Sequence, residues 1–128
     1  MKLFTLCVVL LLGLGLSAFA ADAPAKNGKL RHIVLFKFKA AATPAQIKEV
    51  EKGFHSLKTN ISQISSLEWG TNVSSEKRDQ GFTHALIVTF KNEKDRDAYI
   101  AHAEHKKFVE SALPSIEDVI VVDFWSGN

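Results

Sequence analysis

From Arg31 to Lys39 the chain alternates, with His32, Val34, Phe36 and Phe38 on one side and Ile33, Leu35, Lys37 and Lys39 on the other. This is the period-two pattern of a half-buried strand. The period then changes. Ile47, Val50, Phe54, Leu57 and Ile61 recur at helical spacing behind Thr43-Pro44-Ala45-Gln46, which supplies an N-cap, a proline at the first helical position and a glutamine able to close a capping box. A helix is predicted from Pro44 to Thr59. Leu67, Trp69, Thr71 and Val73 alternate again, and a charged loop from Ser74 closes on Gly81. Phe82 to Phe90 gives a third strand with His84, Leu86, Val88 and Phe90 on one side. Asn92, with Asp95 three residues on, caps a second helix reaching Ala103. A short helical piece from Lys106 to Ala112 stops at Pro114, and Val119 to Trp125 is the last strand.

Strand, helix, strand, strand, helix, strand is the ferredoxin-like split βαβ order, an α+β fold with a four-stranded antiparallel sheet and helices on one face. Right-handed crossovers put the first and third strands side by side at the centre, where they are expected to run parallel. The uncovered face carries Ile33, Leu35, Ala85 and Ile87, too apolar to leave in water. A second copy of the chain is the expected cover, giving a homodimer.

The N-terminus changes the picture of where the protein works. Lys2, an uncharged apolar run from Leu3 to Leu16 and Ala18-Phe19-Ala20 have the form of a signal peptide cleaved after Ala20. The run is shorter than the roughly 20 residues that span a bilayer, so no stable membrane anchor is expected after cleavage. The expected destination is the periplasm or the medium. Residues 21–29 are predicted to be a flexible leader and 30–126 the folded domain. Cys7 is the single cysteine and lies in the segment to be removed, which excludes disulfides, thiolate catalysis and Cys-based zinc sites from the mature chain. With 16 basic against 14 acidic residues interspersed along the chain, nucleic-acid binding has no electrostatic support.

The candidate chemistry lies in the histidines. If the central strands run parallel, His32 and His84 begin neighbouring strands on the helix-facing side. The end of the second helix then returns Tyr99, His102 and His105 to the same place, and the first helix brings Phe54 and Leu57. The expected cavity has these polar groups with Phe36, Phe54, Leu57, Leu86 and Phe108 as its apolar wall. An imidazole with a pKa near 6.5 can take a proton from carbon beside a carbonyl while a tyrosine hydroxyl hydrogen-bonds the developing enolate. His105 and Tyr99 are the candidates for those roles, and His32, His84 and His102 are candidate ligand-orienting groups.

Plainer roles compete with these. A histidine at a strand start is more often a satisfied structural residue, and His102 and His105 at a helix end could complement the helix dipole. His102 and His105 with His32 or His84 could also offer three nitrogens to zinc, but with no cysteine and no fixed acidic partner no metal is assigned, and no cofactor is expected. The mixed charges from Lys91 to Asp97 are those of a solvated helix start.

The strand Leu30 to Phe38, the segment Gly81-Phe82-Thr83-His84 and the run Tyr99-Ile100-Ala101-His102-Ala103-Glu104-His105-Lys106-Lys107-Phe108 together resemble the stress-responsive dimeric α/β-barrel (Dabb) family. In that family the last run commonly has proline where Ala103 stands. The resemblance spans Leu30 to Trp125 and implies a dimeric α+β barrel. In the branch of olivetolic acid cyclase-like proteins, which close a polyketide by aldol condensation, the acid/base histidine and its tyrosine match His105 and Tyr99. Other pocket histidines match His32 and His84, and a pocket tyrosine falls at Phe54. The implied function is binding of a small, partly apolar carbonyl compound, with cyclase- or lyase-type acid/base chemistry if the protein is an enzyme. A non-catalytic stress-response or structural barrel and a cofactor-independent monooxygenase-like enzyme of the same architecture are the alternatives.

Overall fold

A computed structural model describes residues 28–127; the expected signal peptide and residues 21–27 of the expected leader lie outside them. The elements run β1 (Leu30–Phe38), α1 (Pro44–Asn60), β2 (Ser66–Thr71), β3 (His84–Phe90), α2 (Glu93–Ala101), α3 (Ala103–Ala112), a 3-10 turn (Leu113–Ser115) and β4 (Ile116–Trp125). Thr43 and Gln46 close the capping box of α1 in both directions. The Asn92 side chain accepts from the Asp95 amide at the start of α2. These caps satisfy amides that the first helical turn leaves without partners.

The strands form one open sheet in the order β2-β3-β1-β4, and every neighbouring pair is antiparallel. The expected parallel pairing of the two central strands is therefore corrected. The crossover through α1 sets β2 parallel to β1, but β3 inserts between them after the chain reverses through residues 72–83. A strand in that position must oppose both. In the resulting register Phe36 faces His84 and His32 faces Val88, so the two histidines sit at opposite ends of the ladder rather than together.

The core lies between the sheet and the helices, around Val34, Phe36, Phe54, Leu57, Leu86, Val88, Phe90 and Tyr99, all buried. Gly53 lets α1 approach α3 closely, for a Cβ there would stand 2.6 Å from the Phe108 ring. The helices do not reach over β4. Its helix-side residues Val119 and Val121 are 39% and 53% exposed. On the opposite face Ile120, Val122 and Phe124 are exposed as well, extending the apolar surface of Ile33 and Leu35, their neighbours across the β1–β4 ladder.

What was expected as one helix and a separate short piece is two helices sharing one residue. His102 ends α2 with an extended backbone (φ −66°, ψ 139°) and N-caps α3, its Nδ1 accepting from the Glu104 amide. Beyond the Leu30–Trp125 pair Lys29 and Ser126 clasp: the Ser126 amide donates to the Lys29 carbonyl at 2.9 Å and the Lys29 amide to Ser126 Oγ at 3.2 Å.

Candidate functional site

A cavity of about 330 Å³ opens between α2 and α3 on one side and β1 and β4 on the other. Val34, Phe36, Leu86, Phe108, Val119 and Val121 are among its apolar walls, and its polar groups come from His32, Tyr99 and His105. The volume falls within the usual range for small-molecule sites, as does the ratio of many apolar groups to few polar ones.

Each polar group is fixed by its own element. His32 reaches the cavity because strand alternation points it toward the helices, and it is buried. Its Nδ1 lies 2.7 Å from Asp123 Oδ1, and Arg96 Nη1 donates to the other oxygen of that carboxylate at 2.9 Å. A carboxylate only accepts, so Nδ1 carries the proton and Nε2 is the nitrogen left for other partners. Hydrogen bonds to Asp123 and Asp97 raise the Arg96 pKa further and hold it cationic.

Tyr99, on the inward side of α2, is wedged among aromatic rings: Phe90 at 5.2 Å, His32 at 5.8 Å and His105 at 4.5 Å between centroids. Burial pushes its phenol well above the ordinary value, which keeps the hydroxyl a proton-bearing donor at neutral pH. His105, on the first turn of α3, donates from Nδ1 to the Ile100 carbonyl at 3.1 Å. Partial burial lowers its pKa; the bond to Ile100 opposes the shift and the positive charge of a protonated His32 adds to it. His105 is thus a neutral imidazole at pH 7 with Nε2 as its acceptor.

The remaining expected members lie elsewhere. His84 is buried at the far end of the ladder, with Nε2–H donating to Glu51 at 3.0 Å and Nδ1 engaged by the Thr83 hydroxyl at 2.8 Å. Trp69 stacks beside it and Phe38 meets it edge-on. Both nitrogens are occupied within the fold, and His84 borders a separate, more open depression with Thr71, Phe82 and Thr83. The antiparallel ladder is the reason it does not join His32. His102 is turned into its capping bond, and Phe54 and Leu57 are core residues behind the cavity wall; none of these four lines the cavity. Among the described residues no group of three or more His, Cys, Asp or Glu is arranged to hold a metal ion.

Asp123 and Arg96 were not anticipated. The signal was present in the last strand, where Asp123 is the one charged residue in the run from Val119 to Trp125.

The sequence model described as "Stress responsive A/B Barrel Domain" (Dabb) matches residues 30–126. The stress-response A/B barrel domain-containing protein HS1 of Arabidopsis thaliana is 35% identical over 98 residues, covering 77% of this chain and 90% of that protein. Olivetolic acid cyclase of Cannabis sativa is 28% identical over 95 residues, covering 74% and 94% respectively. A crystal structure from Bacteroides fragilis, described as a dimeric protein with a ferredoxin-like fold, superposes with a TM-score of 0.63 at 27% identity and covers 77% of this chain and 96% of that one.

Proposed function

The chain belongs to the stress-responsive A/B barrel family, and on that premise we propose that its cavity binds a small, partly apolar, carbonyl-containing molecule and can act on it by acid/base chemistry. The observation that carries this reading is the convergence of Tyr99, His105 and His32 on one otherwise apolar cavity of about 330 Å³. His105 Nε2 is the proton acceptor for a C–H beside the carbonyl, and the Tyr99 hydroxyl donates to the oxygen on which negative charge develops. The similarity to olivetolic acid cyclase supports cyclase- or lyase-type chemistry as the class to test.

The working unit in this reading is a homodimer formed through the open face of the sheet. The exposed apolar strip of Ile120, Val122 and Phe124 and the dimeric description of the Bacteroides fragilis relative support it. Export rests on the Lys2 to Ala20 segment alone, and mass spectrometry of the mature protein tests it: an N-terminus at Ala21 supports export, and an intact Met1 in cells of the source organism overturns it.

Binding is tested by isotope-labelled NMR with a panel of alkyl β-diketones and alkyl phenyl ketones. Shifts confined to His32, Tyr99, His105 and the cavity walls, lost in Leu86→Trp, support the reading. A panel that moves none of these residues leaves the structural barrel as the better account. Product formation that requires dioxygen favours the monooxygenase-like alternative over the cyclase class.

A further inference from the structure

The two cavity histidines are not equivalent. His105 is held by a backbone carbonyl, a neutral acceptor. His32 is held by the carboxylate of Asp123, itself held by the guanidinium of Arg96. A positive charge on His32 has a counterion at hydrogen-bond distance; one on His105 has none and would face the first. The charged and titratable groups around His32 come from three elements: Asp123 on β4, Arg96 and Tyr99 on α2, and His105 on α3.

We propose that Asp123 makes His32 the cationic, proton-donating member of a two-histidine site, and that the cavity therefore takes its ligand as a monoanion of the enolate or phenolate type with an apolar body. Two donors, His32 Nε2–H and the Tyr99 hydroxyl, then serve the anionic oxygen, while the valines and leucine of the walls hold the rest. Asp123 and Arg96 are positioning residues, acting through His32. The proposal rests on the small-molecule reading above and deepens it.

For a carbonyl compound the step balances within the site. The C–H bond beside the carbonyl breaks and its proton goes to His105 Nε2. The electron pair forms the enolate C=C bond as the C=O π bond opens onto oxygen, and that oxygen accepts from His32 Nε2–H and Tyr99. If His32 gives up its proton the product is the enol, with His105 protonated and His32 neutral. Proton exchange with water restores the starting state.

The test uses 4-butyl-2-nitrophenol, whose absorption separates phenol from phenolate, and its methyl ether as a neutral control of the same body. At a pH where the free dye is mostly protonated, the folded domain is expected to bind it and shift its spectrum to the phenolate. Asp123→Asn keeps an acceptor for His32 Nδ1–H but removes the counterion, and is expected to weaken phenolate binding about tenfold or more while leaving the ether unchanged. Arg96→Gln loosens the hold on the Asp123 carboxylate but leaves it in place, and is expected to weaken phenolate binding by a smaller factor, about two- to fivefold. A purely structural role would weaken dye and ether together in both variants, and that outcome overturns the proposal. So does phenolate binding by Asp123→Asn equal to that of the unsubstituted protein, or binding of the ether but not the dye. If neither compound binds the unsubstituted domain, the small-molecule reading fails and the proposal with it. Should Asp123→Asn not fold, the 15N shifts of His32 in the unsubstituted complex decide: an imidazolium supports the proposal and a neutral ring overturns it.

Discussion

His84 stands directly across the central ladder from Phe36, four residues along β1 from His32. Two histidines that share a face and a strand pairing thus serve different ends of the protein, one turned to a cavity and the other locked between Glu51 and Thr83.

The division between them can be tested by substitution. His84→Ala leaves Glu51 without its buried donor and is expected to lower stability by about 1–3 kcal/mol, with no change in ligand affinity at the cavity. Urea unfolding beside a binding titration reads both quantities. A loss of affinity with unchanged stability would return His84 to the site.

The lowered pKa of His105 has a definite sign. Because burial disfavours its charged form in the fold, the unfolded chain binds more protons at this position. Its contribution to stability is therefore full above the unfolded pKa of about 6.5 and is lost as the pH falls below that value toward the folded pKa. His105→Gln is expected to lose less melting temperature than the unsubstituted protein between neutral and mildly acidic pH, as scanning calorimetry would show. Parallel pH profiles for the two proteins would remove the claim.

At the α2–α3 break the capping role of His102 predicts that His102→Ala costs about 0.5–2 kcal/mol and that His102→Asn recovers most of it. Ala103 occupies the first position of α3, where proline is well tolerated. Ala103→Pro is expected to leave stability unchanged or raise it by up to about 1 kcal/mol. Thermal melts of the three variants suffice.

Gly53 is more than a weak helix former. Alanine there would favour the helix by up to about 1 kcal/mol, but its methyl meets the Phe108 ring, which lines the cavity. Gly53→Ala is expected to be destabilising by about 1–3 kcal/mol through overpacking, and to weaken binding of any cavity ligand because the ring is pushed inward. Tighter ligand binding in this variant would show that the helices part instead.

Local signals carried most of the fold. The capping box at Thr43, the Asn92 cap, the alternation in the first three strands and the apolar run of the last were legible because each is written within a few residues. Strand direction was not, because it depends on β3 entering between strands that an earlier crossover had already separated. That one non-local fact decided which histidines meet. A break between the helices was read a few residues late, but that His102 makes it as the cap of both was hidden, since Tyr99 to Ala103 contains no strong helix breaker and the resemblance to a proline-bearing motif was the one hint. Asp123 reads as a lone charge on an edge strand until Arg96 and His32 are seen on either side of it.

The clasp between Lys29 and Ser126 brings the two ends of the described region within hydrogen-bond distance of each other, and Gly28 lies so close to the Ser126 carbonyl that a Cβ there would overlap it. Topologically the domain is a ring with one cut. A short glycine linker could close that cut and new ends could be opened in the exposed loop of residues 72–83, far along the chain from the cavity's polar groups. Chain upstream of Gly28 and anything fused after Ser126 would leave the domain from one common point, beside the edge strand.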